Sequence, residues 1–183
     1  MTEKEKMLSH LLYDPNDPEL TKERIRAKDL CHEFNALLPS DKKQLEILKK
    51  ILIKTGKKFT VTAPFWCDYG YNIKIGEDFY ANHDLVILDA AEVIFGDNVL
   101  IGPDCGFYTA GHPLDPETRN TGLEYALPIT VGKSVWIGGG TKVLPGVKIG
   151  DNSVIGAGSV VNRDIPSDCM AAGNPCRPIK SLK

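Results

Sequence analysis

The sequence predicts a parallel β-helix, a solenoid of short strands wound around one narrow core. Three observations predict it. An apolar residue recurs at every sixth position, at Val131, Ile137, Val143, Ile149, Ile155 and Val161. A companion set four residues further on, Val135, Thr141, Val147, Ser153, Ser159 and Ile165, is mostly small or β-branched. Glycine follows the first position at Gly132, Gly138, Gly150 and Gly156. A spacing of six fits neither the 3.6-residue period of a helix nor the two-residue period of a strand. It fits a short strand, a corner and a repetition of both. Three such strands make one coil of eighteen residues, with the apolar positions inward. The glycine and the small residue are expected to let the backbone bend at the corners.

The elements follow in order along the chain. Residues 1–56 lack the pulse and read as two amphipathic helices. Asp17-Pro18 suits a helix start, because proline is tolerated in the first turn, and Leu20, Arg24, Ala27, Cys31 and Phe34 follow at helical spacing. Pro39-Ser40 breaks that helix. Ser40 can cap a second one, in which Leu45, Leu48, Ile51 and Leu52 share a face and Gly56 marks the end. Both helices are expected to pack on the first coils and shield strand edges there. Lys58–Thr62 reads as a strand, and Pro64–Gly70 as an irregular approach. The first run of hexads covers 73–110, with Ile75, Ala81 and Ile87, then a two-residue slip to Phe95, Ile101 and Phe107. From Ala110 to Pro128 the pulse stops in a polar stretch rich in turn formers, which must leave the solenoid as a loop. The pulse resumes at Ile129 and lasts to Pro166, and a turn-rich tail follows. The organisation expected is a helical segment over 1–56 packed on a solenoid domain over 57–183, as one structural unit.

With 183 residues, 42% of them hydrophobic, the chain is long enough for one sizeable core. The net charge of −2, with no basic stripe and interleaved aromatics, argues against nucleic-acid binding. No apolar run has membrane-spanning length, and the charged start has no signal-peptide core, so a cytoplasmic location is expected. The five cysteines, Cys31, Cys67, Cys105, Cys169 and Cys176, are widely spaced with no C-x-x-C, which points to reduced thiols and away from a zinc knuckle. Cys105 falls on an inward position.

His112 sits at the mouth of the loop, in Thr109-Ala-Gly-His-Pro113. An imidazole with an ordinary pKa of ~6.5 can accept a proton near neutrality, as a general base for a hydroxyl must. A zinc hydratase on a similar solenoid would need three converging histidines. Of His10, His32, His83 and His112, only the last two lie in the solenoid, and no metal site is expected.

Several motifs carry a resemblance beyond the pulse. They are Phe79-Tyr-Ala-Asn82, Thr109-Ala-Gly-His112-Pro, Lys133-Ser-Val-Trp136-Ile-Gly138, the run Pro145–Gly158, and Ala172-Gly-Asn-Pro-Cys-Arg177. With Tyr13-Asp14 and Glu33-Phe-Asn35 near the start, they make the chain similar over nearly its whole length to the hexapeptide-repeat sugar O-acetyltransferases of the maltose and galactoside type. The resemblance implies a mainly β fold, a left-handed parallel β-helix carrying two N-terminal helices and a protruding loop near 110–128. It also implies a homotrimer with active sites between subunits, acetyl-CoA as co-substrate with no tightly bound cofactor, and a sugar acceptor.

Carried over residue by residue, the resemblance makes His112 the base and Asn82 a catalytic, substrate-contacting amide. Asp14, Arg24, Asp68, Asp89 and Glu124 become acceptor contacts, since carboxylates accept from hydroxyls. Trp136, Gly139, Ala157, Asn162, Arg177 and Lys180 become the acetyl-CoA set, with the two cations near phosphate. Gly139 stands where the galactoside branch has serine, so only its backbone N–H can serve a developing oxyanion. Asp68 replaces a serine and Glu124 a methionine of that branch, and Ala90 replaces the acid beside Asp89. The departures at Gly139 and Asp68 favour a maltose- or glucose-type acceptor, and the one at Ala90 weakens the case for Asp89. The alternatives are another acceptor (a galactoside, an antibiotic or a glycan) and a non-enzymatic structural trimer.

Overall fold

The six-residue pulse is realised as a three-sided parallel β-helix in the computed structural model, which describes Met1–Lys183. The first face starts at Phe59–Val61 and continues through Phe79–Ala81, Leu100–Ile101, Trp136–Ile137 and Val154–Ile155. The second runs from Phe65–Cys67 through Leu85–Leu88, Gly106–Tyr108 and Lys142–Val143 to Val160–Val161. The third comprises Ile73–Ile75, Val93–Phe95, Ile129–Val131 and Lys148–Ile149. Partners stand eighteen residues apart in the later coils, as in Val131 opposite Ile149 and Val143 opposite Val161. Both sets of pulse residues are buried, so a period in sequence has become columns of inward side chains. One column is aromatic: Phe95 lies 5.1 Å from Phe79 and 4.9 Å from Phe107, ring centre to ring centre.

The earlier coils hold twenty residues, as in Ile75 opposite Phe95 and Ile87 opposite Phe107. The two additional residues fall at one corner, between the second and third faces, just after Cys67 and just after Leu88. The next coil leaves the solenoid at that same corner, where residues 109–128 form the loop. A short antiparallel pairing of Ala110–Gly111 with Tyr125–Ala126 closes its base.

The corners bend two residues beyond the hexad glycine, which corrects the expectation that this glycine supplies the turn. Asp78, Asn98, Ser134, Asn152 and Asp168 stack at one corner with φ of 52°, 58°, 55°, 59° and 57°. Asp and Asn tolerate that left-handed region better than most residues. The hexad glycine serves close approach instead. A Cβ on Gly138 would lie 2.6 Å from the amide nitrogen of Ala157 in the next coil.

Three helices, one more than expected, precede the coils: α1 (Glu3–Leu8), α2 (Pro18–Ala36) and α3 (Lys43–Ile51). α1 is a short helix set by a capping box, Thr2 with Glu5. α2 begins as its sequence predicts, with the Asp17 carboxylate accepting from the N–H groups of Glu19 and Leu20. Its buried Ala27, Cys31 and Phe34 join the solenoid core. α3 departs from expectation at both ends. Ser40 does not cap it, and it stops at Ile51, before Gly56. Its buried face is Ile47, Leu48 and Ile51, while Leu45 is 46% exposed. The coils also begin earlier than expected, because the Pro64–Gly70 approach contains the strand Phe65–Cys67. A fourth helix, α4 (Pro116–Asn120), lies in the loop, capped by Asp115. At the far end, Arg177–Ser181 pairs antiparallel with Cys169–Ala172 and covers the last edge of the first face. All five cysteines are free and buried, with Cys105 in the core. No helix is long and apolar enough to cross a membrane.

Phe95 joins two neighbours of the aromatic column, so its truncation leaves a cavity that flanking coils cannot close. Phe95→Ala is expected to cost about 3–5 kcal/mol of stability, read as a lower midpoint in urea unfolding.

Candidate active site

The loop-bearing corner gathers polar side chains around His112. The chain re-enters this corner in three successive coils, and each pass contributes. The first brings Asp68 and Tyr69, the second Asp89, and the third the loop with His112 and Glu124. α2 adds Arg24 and Lys28, and the segment between α1 and α2 adds Tyr13.

Asp89 organises the passes. Its carboxylate is completely buried. It accepts from the backbone N–H groups of Asp68 at 3.0 Å, Tyr69 at 2.8 Å and Gly70 at 2.7 Å. Burial pushes its pKa up to about 7, against the opposing pull of those three donors. The expectation that Asp89 meets the acceptor is therefore corrected: its oxygens are spent on holding the turn that carries Asp68. Thr109 performs the matching task one coil on, accepting from the Ala91 N–H at 2.9 Å and donating to the Leu88 carbonyl at 2.6 Å.

His112 is fixed through its ring. Nδ1 lies 3.2 Å from the carbonyl oxygen of Leu123. A carbonyl only accepts, so Nδ1 carries the proton and Nε2 of the neutral ring is left with its lone pair. Nε2 stands 3.8 Å from Oε1 of Glu124, and the His112 side chain is 53% exposed. The other oxygen of Glu124 accepts from the Tyr13 hydroxyl at 2.7 Å.

The remaining acceptor candidates divide. Arg24 donates to the Tyr69 hydroxyl at 2.8 Å and to the Pro15 carbonyl at 2.5 Å, which orients it toward this corner. Asp68 faces Lys28 at 3.7 Å, and burial raises its pKa despite the cations Lys28 and Arg24. Burial also lifts the Tyr69 phenol to about 12. Asp14 is exposed beside Tyr13, and its carboxylate accepts from the Asn16 N–H at 2.9 Å. Asn82 does not lie at this corner. It follows Phe79–Ala81 at the edge between the first and second faces, where its side-chain oxygen accepts from the His83 N–H.

Most of the acetyl-CoA candidates follow the edge that Asn82 occupies. Gly139 and Ala157 stack there in successive coils, and neither backbone N–H has a partner in the chain. Trp136 projects from the adjoining first face, 56% exposed, in a column with the exposed Tyr80 and Leu100. Arg177 reaches Asn162 at 3.3 Å near the C-terminal end, and Lys180 lies exposed on the last strand. One chain thus carries His112 on one edge and Asn82, Gly139 and Ala157 on another, with the second face between them.

Two family models match, a maltose acetyltransferase hexapeptide capping motif over residues 6–56 and a bacterial transferase hexapeptide model of six repeats over residues 128–163. A candidate acetyltransferase of Saccharomyces cerevisiae is 54% identical over 93% of this chain and 88% of its own length. The chain belongs to the hexapeptide-repeat acetyltransferases of the maltose and galactoside type. A maltose O-acetyltransferase from Clostridium difficile 630 shares its structure with a TM-score of 0.97 and 49% identity, over 100% of this chain and 98% of that one. A galactoside acetyltransferase in complex with coenzyme A gives 0.96 and 43%, over 100% and 92%. At these TM-scores the coil winds with the same hand as in those two structures.

Sequence reasoning passed over Lys28, took Tyr13 and Thr109 only as parts of motifs, and took Tyr69 only as part of the Pro64–Gly70 approach. Each acts through a contact across coils or from a helix, which no local pattern displays.

The raised pKa of Asp89 has a sign that can be checked. Its folded value lies above the unfolded ~3.9, so its contribution to stability is full below pH 4, falls as pH rises to about 7, and is flat above. The difference in thermal midpoint between the wild type and Asp89→Asn is expected to shrink across that window and then hold constant. A difference that does not vary with pH would remove Asp89 as a perturbed group.

Proposed function

We propose that the protein transfers the acetyl group of acetyl-CoA to a hydroxyl of a sugar, glucosyl in type, with His112 as general base. The observation that carries the reading is the His112 ring itself. Its Nδ1 is committed to Leu123, and its Nε2 is left free beside Glu124, whose carboxylate shares its surroundings with Asp68 and Arg24. Nε2 takes the proton of the acceptor hydroxyl as the oxygen attacks the thioester carbon. The tetrahedral oxyanion collapses, the carbon–sulfur bond breaks, and the sulfur leaves with the proton held by His112 as the free thiol. The unpaired N–H of Gly139 is a donor available to that oxyanion. Asp68 and Glu124 accept from acceptor hydroxyls while Arg24 and Lys28 balance their charge, an arrangement suited to a neutral polyol.

Acetyl-CoA in this reading lies along the edge of Gly139 and Ala157, with Trp136 beside it and Arg177 and Lys180 toward its phosphates. The galactoside acetyltransferase complex with coenzyme A supports the choice of co-substrate. The separation of His112 from Asn82 and Gly139 supports a shared site, in which the His112 edge of one copy meets the Asn82 edge of another. Two different edges in contact make a heterologous interface, which closes as a ring, and the reading takes that ring as a trimer. The exposed column Tyr80, Leu100 and Trp136 offers apolar surface for it.

Thiol release from acetyl-CoA against glucose, maltose, galactosides, chloramphenicol and serine tests the reading. Turnover is expected with the glucosyl sugars and little with the rest. His112→Ala is expected to retain the fold and lose roughly 10²–10⁴ in rate. Arg177→Ala is expected to weaken acetyl-CoA binding with little effect on kcat. No turnover with any sugar would overturn the acceptor, and an unchanged rate in His112→Ala would overturn the base.

A further inference from the structure

A second, smaller core lies under the site, apart from the solenoid interior. Met7 of α1, Leu20 of α2, Tyr69 and Ala90 from two corner passes, and Ala126 of the loop base meet there around Tyr13. Tyr13 is 1% exposed and bonded to the loop in three ways. Its backbone N–H donates to the Glu124 carbonyl at 3.0 Å, and the Glu124 N–H donates back to the Tyr13 carbonyl at 3.0 Å. Its hydroxyl donates to the Glu124 carboxylate at 2.7 Å. The segment so clamped, Leu123-Glu124, touches both nitrogens of the His112 ring: the Leu123 carbonyl at Nδ1 and the Glu124 carboxylate near Nε2.

We propose that Tyr13 is a positioning residue for the His112–Glu124 pair, holding by its hydroxyl the carboxylate that faces the basic nitrogen. The inference rests on the reading of His112 as the base. Burial first, and then the bond to Glu124, push the Tyr13 phenol far above its ordinary range, so it remains a donor at every working pH. The hydroxyl is the one hydrogen-bond donor that the Glu124 carboxylate has in the chain. With it in place, part of the carboxylate's charge is drawn away from His112. Without it, Glu124 faces the ring with undivided charge and is free to change rotamer. The charged and titratable groups around the pair are Glu124 from the loop, Tyr13 from the N-terminal segment, Arg24 from α2, and Asp68 and Tyr69 from the first corner pass.

Tyr13→Phe in the full chain keeps the ring in its core and removes only the hydroxyl. The expected result is a ~10-fold lower kcat, since a displaced catalytic group is costly, with KM for acetyl-CoA unchanged. In a Glu124→Gln background, Tyr13→Phe is expected to add nothing. Full kcat in Tyr13→Phe would overturn the proposal, as would an equal loss in both backgrounds. If Tyr13→Phe does not fold, Glu124→Gln decides alone: a lower kcat with KM for acetyl-CoA unchanged is expected, and a full kcat overturns the proposal. Failure of the underlying reading looks different, because His112→Ala would then keep its rate.

Discussion

Every coil of this molecule must lie on the one before it, backbone to backbone, and that registration is the constraint from which the rest follows. Strand partners stay in register along each face, and a Cβ in the place of a hexad glycine would strike the next coil. A residue added within a face would break the column of inward side chains. Residues beyond the repeat can therefore leave only at a corner. This chain sends nearly all of them out at one, two in each early coil and the whole loop in the next. The site stands where the solenoid permits departure from its own period.

Departure exposes backbone polar groups that the ladder would otherwise pair. Asp89 meets this need for the first pass by collecting three N–H groups, and Thr109 does so for the next. Burying a carboxylate is costly, and the cost appears as a pKa of about 7. The gain is a turn held rigidly enough to present Asp68 and Tyr69 to α2. The helices thus have two tasks. Ile47, Leu48 and Ile51 of α3 close the end of the core, while Arg24 and Lys28 of α2, with the segment before it, furnish one wall of the site.

The fold was readable because its signal is redundant: the pulse is repeated coil after coil, and each inward position from Val131 to Val161 reports the same geometry. What the sequence hid was local and singular. α1 depends on a capping box around Thr2, too short to show a period. The strand at Phe65 lies in a coil whose corner carries extra residues, so it falls out of phase with the later hexads. The role of glycine was misjudged because the bend and the close approach occupy neighbouring positions of one turn. Within the site, His112 was marked by its place at the loop mouth, whereas Asp89 was misassigned because a carboxylate bound to backbone looks, in sequence, like one that faces a ligand. The tasks of Tyr69 and Thr109 show in no local pattern, since their partners lie one coil away.

The family relation and the geometry converge on one demand. His112, the proposed base, stands on one edge of the prism, and the amide of Asn82 and the free N–H of Gly139 stand on another, so the site proposed here needs two copies of the chain. The most direct measurement is acetyl transfer by mixed oligomers, formed by co-expressing His112→Ala with Asn82→Ala chains, each inactive alone. Random assembly of a ring with shared sites is expected to return about a quarter of the wild-type rate, because some interfaces then join two intact edges. Mixed oligomers as inactive as either parent would contradict the account, for they would place both residues in a site within one chain.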